Sequence, residues 1–167
     1  MQPPSGDYFE YLELPRKLQI DLLELEKKFY ALSRRLHPDL YCQRPDRERL
    51  LAEEASARLN DAYRTLGDPV ARAEYLLELY GIDKREQAAP PELLEEMFDL
   101  KISLEAGAPL APVRSRVQVM LDEVGWSLER EFAEWDRSAR PEVLEKIAGV
   151  LNRRSYLLKA LSTEPRP

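Results

Sequence analysis

The sequence predicts an all-α protein in two parts, an N-terminal helical hairpin and a C-terminal three-helix bundle. Apolar residues recur at helical spacing in most stretches of the chain. Leu, Glu, Arg and Ala dominate while glycine is scarce, at 6 of 167 residues, and no stretch shows the alternation of a strand. Proline and glycine then punctuate the periodic stretches at Pro15, Pro38, Gly67 to Pro69, Gly81, Gly107 with Pro109, and Pro141.

The elements of the first half follow in order. DYFEYLEL at 7 to 14 is long enough for one or two helical turns, ended by Pro15. Asp21 is a plausible N-cap, and Leu25, Phe29, Leu32 and Leu36 step by four, three and four onto one helical face. Lys27, Lys28, Arg34 and Arg35 fall roughly opposite, with no acid between 27 and 36, so the outer face is predicted to be positive. Pro38 disfavours α geometry at His37 and ends the helix near Leu36, leaving His37, Pro38 and Asp39 in a loop. The next helix, from about Asp46 to Leu66, carries Leu51, Ala55, Leu59, Ala62 and Leu66 on one face and can lie antiparallel to the first. Gly67, Asp68 and Pro69 read as a C′ glycine, an N-cap and an N1 proline, with ARAEYLLELY the helix that follows.

The segment DKREQAAPP at 83 to 91 loses apolar periodicity and reads as a linker, which gives domains at 1–82 and 92–167. Three helices are predicted beyond it, over about 91 to 106, 110 to 136 and 141 to 161. The last two have single stripes: Val113, Val117, Met120, Val124 and Leu128, then Val143, Ile147, Val150 with Leu151, and Leu158. The first has two, Leu93, Met97, Leu100 and Leu104 on one side and Leu94, Phe98 and Ile102 on another. The surplus stripe either packs on other helices or forms a docking face, and the residues alone leave both open.

Several function classes are set aside by composition. A net charge of −6 argues against broad nucleic-acid binding. No apolar run approaches the roughly 20 residues that span a bilayer, and MQPPSGDYFE lacks an export signal, so a cytoplasmic, non-membrane protein is expected. One cysteine, Cys42, and one histidine cannot complete a zinc site or hold a cluster, and no glycine-rich phosphate loop occurs, so neither metal nor cofactor is expected.

The only histidine lies in RRLHPDLY at 34 to 41. A catalytic His-Asp relay is set aside because a three-residue turn hardly brings the two together and no nucleophile accompanies them. What remains is a recognition tip, with Asp39 able to bond a partner's arginine and the basic face able to steer an acidic surface. On composition alone, a helix stop with a lone histidine is the simpler reading.

The order of these motifs adds to that reading. An early aromatic turn, a basic amphipathic helix, HPD, and a second helix ending LNDAYRTLGDP resemble the J-domain, whose members stimulate ATP hydrolysis by DnaK-type chaperones. With ARAEYLL after it, the stretch from about 7 to 83 is similar to the HscB family of J-domain co-chaperones for iron-sulfur cluster assembly. The resemblance implies a non-enzymatic co-chaperone that activates a DnaK/HscA-type ATPase and delivers the scaffold protein IscU to it. It implies that His37, Pro38 and Asp39 trigger the chaperone, with Lys27, Lys28, Arg34 and Arg35 as contacts. It further implies that LLEEMFDLKISLE holds the scaffold through Leu94, Phe98 and Asp99, with Leu93, Met97 and Ile102 nearby. Two positions depart from the family's pattern: Leu40 stands where a lysine is usual after HPD, and Ile102 where polar residues are common. The zinc-binding cysteine extension of some eukaryotic relatives is absent, which suits a bacterial source. The alternatives are a general J-domain protein that delivers unfolded clients and a structural helical adaptor.

Overall fold

The computed structural model describes residues 6–41, 44–86, 91–106 and 109–162. Helices account for most of it: α1 (Tyr8–Tyr11), α2 (Leu22–Leu36), α3 (Asp46–Gly67), α4 (Pro69–Leu79), α5 (Pro91–Glu105), α6 (Leu110–Ser138) and α7 (Pro141–Ser162). Among the described residues there is no strand, and no helix is long and apolar enough to cross a membrane. Packing divides the chain into two compact units, Met1–Leu76 and Leu77–Pro167.

In the first unit, Asp21 accepts from the backbone N–H groups of Leu23 and Glu24 and so starts α2. Leu25 of α2 and Ala52, Ala55, Leu59, Ala62 and Leu66 of α3 are buried between the two helices and α1. Three alanines in that stripe leave room for the backbones to approach closely, and the Phe29 and Tyr63 rings meet across the seam with centroids 4.3 Å apart. Phe9 of α1 and Leu12, its C-cap, are fully buried, and the Tyr11 hydroxyl donates to the Ala55 carbonyl at 2.9 Å. Tyr8 stacks on Tyr75 of α4 at 4.4 Å, and its backbone N–H donates to the Tyr75 hydroxyl at 2.9 Å. Burial pushes the Tyr75 phenol up.

The α3–α4 junction differs from the expected one. Gly67 is the last residue of α3 and does not take the left-handed conformation expected of a C′ glycine. Arg72 does the capping instead: its buried guanidinium donates to the Leu66 carbonyl at 2.5 Å, satisfying a group that the helix end leaves open. Asp68 is the N-cap predicted, accepting from Ala71 N–H at 2.7 Å. Gly81 is left-handed at φ 70°, and the bonds from Gly81 N–H to Glu78 and from Ile82 N–H to Leu77 make a Schellman stop for α4.

The second unit is a bundle of α5, α6 and α7, with its main seam between α6 and α7. Val117, Met120, Val124, Leu128, Phe132 and Trp135 of α6 meet Val143, Leu144, Ile147, Ala148 and Leu151 of α7. Leu93 of α5 joins that core, while the side chains of Leu100 and Leu104, on the same predicted stripe, lie outside the described set. The break between the units falls earlier than 82. Lys84–Glu86 forms a 3-10 turn against α7 because Asp83 accepts from the Arg85 backbone and guanidinium; residues 87–90 of the expected linker, Cys42 and Gly107 lie outside the described residues. At the end of α6, Glu134 is bonded by Arg137 and, at 2.8 Å, by Arg140.

Two expectations follow. Leu59→Ala, at a side chain 1% exposed, should lower unfolding free energy by about 2–5 kcal/mol, against less than about 0.5 kcal/mol for Leu50→Ala at an exposed position of the same helix. Denaturant titration followed by circular dichroism measures both. Arg137 and Arg140 hold the Glu134 carboxyl down to about 2. Because its folded value lies below its unfolded one, the stabilisation is present above about pH 4.5 and is lost as pH falls toward about 2. In a carboxyl-carbon NMR titration, Arg137→Gln should move the Glu134 midpoint upward.

Candidate functional site

Two exposed regions are built from residues that the cores do not use. The first is the end of α2. His37 is its C-cap, with φ −58° and ψ 129°, the extended conformation demanded of a residue before proline. Pro38–Tyr41 then makes one 3-10 turn, closed by the bond from Leu40 N–H to the His37 carbonyl at 3.0 Å. Tyr41 turns back, half-buried, and its hydroxyl donates to the Arg35 carbonyl at 3.2 Å. One bond closes the turn and the other fastens it to α2.

The His37 and Asp39 side chains come closer than a three-residue turn was expected to allow, because the tight 3-10 path folds residue 39 back toward residue 37. Nδ1 of His37 lies 3.3 Å from the Asp39 backbone nitrogen and 3.4 Å from Asp39 Oδ2. The first contact requires an unprotonated Nδ1 and the second a protonated one, so they are alternatives. At 3.4 Å the ion pair is longer than a charge-assisted bond of about 2.7–2.9 Å, and the side chains are 56% and 84% exposed. Solvent screens such a pair heavily. Both contacts use Nδ1, and no described residue bonds Nε2. The geometry presents an imidazole nitrogen and a carboxylate to whatever approaches the tip.

The four basic residues divide. Lys27, Arg34 and Arg35 are exposed, and among the described residues nothing pairs with their side chains. Lys27 and Arg34, seven residues apart, share one side of the helix. Arg34 and Arg35 also sit in the last turn, where the helix dipole favours cations. Lys28 is committed elsewhere: half-buried, it donates to the Glu13 carbonyl and pairs with Glu24 at 3.1 Å, fastening the chain after α1 to α2. The exposed row holds a residue that charge-counting missed. Tyr30 is exposed between Lys27 and Arg34, and the i, i+3, i+7 spacing was the signal that could have found it. Leu40, at the tip, is exposed too.

The second region is on α5. Leu93 is buried and Met97 half-buried, so these two serve the bundle. Leu94, Phe98 and Ile102 are exposed, Phe98 to 63%, with exposed Asp99 beside them. The surplus stripe is therefore a solvent-facing apolar row with an acidic neighbour.

The chain is similar to known proteins in sequence and fold. The model of the DnaJ domain matches residues 7–75, which hold the α2–α3 hairpin and the His37–Asp39 turn. A Vibrio vulnificus relative, co-chaperone protein HscB homolog, is 35% identical over 159 residues, covering 87% of this chain and 93% of that protein. The chain belongs to the HscB co-chaperone family. A Vibrio cholerae HscB homolog is 41% identical over 103 residues, a match that spans 60% of each protein. The human iron-sulfur cluster co-chaperone protein HscB is 30% identical over 86% of this chain and 64% of that protein. The crystal structure of human co-chaperone protein HscB superposes with a TM-score of 0.73 at 25% identity, covering 95% of this chain and 80% of that one. This HscB-family member thus has the two-part helical architecture of its relatives.

Tyr41→Phe should leave the helices intact and loosen the turn. The loss of one bond of about 1 kcal/mol lowers protection of the Leu40 amide roughly fivefold in hydrogen exchange.

Proposed function

We propose that this protein is a co-chaperone with two docking sites on one chain. The first, the turn of His37, Pro38 and Asp39 with Lys27, Arg34 and Arg35 on α2, engages a DnaK/HscA-type ATPase and stimulates its hydrolysis of ATP. The second, Leu94, Phe98, Asp99 and Ile102 on α5, holds an IscU-type iron-sulfur scaffold protein. Leu93, Met97 and Lys28 support these sites from within. The expected domains, 1–82 and 92–167, would each carry one site.

The observation that carries the reading is the exposed His37–Asp39 turn, fastened to a cation-bearing helix in a chain of the HscB family. The physical logic runs from the contacts outward. Cations on α2 raise the encounter rate with an acidic partner surface. Asp39 offers a carboxylate to a partner cation, and the rigid turn spares the ordering cost of placing it. On α5, three apolar side chains ringed by polar ones have the anatomy of an interface core and rim. Holding both sites on one chain makes delivery intramolecular: a bound scaffold reaches the chaperone at the effective concentration set by the chain, without a second diffusional encounter. Nothing in this scheme asks the protein to hydrolyse ATP or ligate iron. Its part is to bring two partners together and shift one of them between states, which requires a contact stronger in one state than in the other.

The test is the ATPase rate of a purified DnaK-type chaperone from the same organism, with this protein and the scaffold added singly and together. Stimulation should rise synergistically with scaffold and fall roughly tenfold or more for His37→Gln or Asp39→Asn, while circular dichroism is unchanged. Phe98→Ala should weaken scaffold binding about tenfold in calorimetry and leave scaffold-free stimulation intact. Stimulation indifferent to scaffold would leave a general J-domain protein. No stimulation by the folded wild type would overturn the reading.

A further inference from the structure

Trp126 stands 69% exposed on α6, although its ring is the kind of large apolar group that folds usually bury. It belongs to a row outside the bundle core: Asp122, Trp126 and Glu129 are all exposed and follow one side of the helix at i, i+4 and i+7. Among the described residues Glu129 has no partner, and Asp122 accepts from the neutral Gln118 amide at 2.9 Å, so both charges stay uncompensated. The complement of this row lies on α2. Lys27, Tyr30 and Arg34 are exposed at i, i+3 and i+7, the same steps in reverse order. Seven residues span about 10.5 Å of either helix. The α2 of one copy laid antiparallel along the α6 of another therefore sets Lys27 opposite Glu129, Tyr30 opposite Trp126 and Arg34 opposite Asp122. One turn further, exposed Leu23 falls opposite exposed Ala133. A parallel layout would put the two rings out of register by one residue. The flanking charges do not oppose the pairing: Arg35 and Glu123, each one residue on, are again opposite in sign, Arg130 pairs with Glu131 at 3.2 Å, and Glu26 is half-buried.

We infer that the outer row of α6 is a docking site for α2 of a second copy of this chain, held by Trp126 on Tyr30 and by an ion pair on either side. The occupant follows from charge complementarity and register, since both surfaces are present on one chain and alternate ring and charge at matching positions. Exposed ion pairs contribute little each and are screened by salt, while the aromatic pair adds area and a preferred geometry. The association is therefore weak, salt-sensitive and confined to high protein concentration. It bears on the ATPase partner through a point that rests on the co-chaperone reading, as the association itself does not. Lys27 and Arg34 of a docked copy are covered and cannot steer a chaperone, so self-association and chaperone engagement compete.

The experiment is sedimentation equilibrium of the full chain in low salt, over a roughly hundredfold range of concentration that reaches about 1 mM. The average mass should rise above that of the monomer and fall back toward it in about 0.5 M salt. Trp126→Ala and Glu129→Lys should each raise the dissociation constant about tenfold, with circular dichroism unchanged because both positions are exposed. Adding Lys27→Glu to Glu129→Lys restores opposite charges at that pair and should bring the constant back within about threefold of wild type. Glu145→Lys makes the same change of charge at an exposed site on α7 and should leave the constant unaltered. A wild type that stays monomeric throughout leaves Trp126 to some other partner and overturns the inference. So does a constant that Trp126→Ala does not move, a charge swap that fails to restore it, or an equal loss for Glu145→Lys and Glu129→Lys. ATPase stimulation by dilute wild type is independent of all these outcomes, so the co-chaperone reading stands or falls on its own test.

Discussion

Pro38 is the constraint on which the tip depends. Its ring disfavours α geometry at the preceding residue, and His37 takes ψ 129° as α2 stops at Leu36. The next four residues take a 3-10 turn, entered through the bond from Leu40 N–H to the His37 carbonyl. A residue compatible with helix at position 38 would let α2 run on and carry His37 and Asp39 around its surface. About 100° per residue would separate their directions by some 200°. The present turn instead brings them within 3.4 Å of each other.

Buried and exposed groups are assigned to different tasks even on one helix. In α2, Leu25 packs the core, Lys28 fastens the post-α1 segment through Glu13, and Lys27, Tyr30 and Arg34 are left to solvent. The stretch ARAEYLL at 71–77 is architectural. Arg72 caps α3 through Leu66, Ala73 and Leu76 are buried, and Tyr75 stacks on Tyr8. A buried arginine that bonds a helix-end carbonyl is hard to replace, because any shorter side chain leaves both a void and an open acceptor.

Much of this was legible in the sequence because helix ends are written in local chemistry. Asp21, Pro38, Asp68, Gly81 and Pro141 mark boundaries that the structure places within a residue or two. The two-stripe pattern of α5 was legible too, although the residues alone left open whether the second stripe packs or stays exposed, as Leu94, Phe98 and Ile102 do. What was not legible depends on contacts between residues distant in sequence. Gly67 looked like a left-handed stop, but the cap came from Arg72, on the following helix. Lys28 looked outward on a helical wheel, and only the position of Glu13 shows that it reaches back. The division at Leu76–Leu77 follows from how residues 77–86 pack against the second unit, which periodicity in the linker cannot report. The His37–Asp39 approach depends on the 3-10 path of the turn, which letters alone do not specify.

Function and stability are separable in this chain for a physical reason. Core positions such as Leu59, Ile147 and Trp135 lose solvent completely or nearly so on folding, and their truncation removes transfer energy and opens cavities. Phe98 and Leu40 keep most of their surface in water, so the folded state gains little from them and their replacement costs it little. Apolar groups that the fold does not consume are those whose burial energy is still available to a complex. In α5 the contrast lies within adjacent residues: Leu93 is 2% exposed and Leu94 is 48% exposed. One helical step of about 100° separates the residue that holds the bundle together from the residue left to meet another surface.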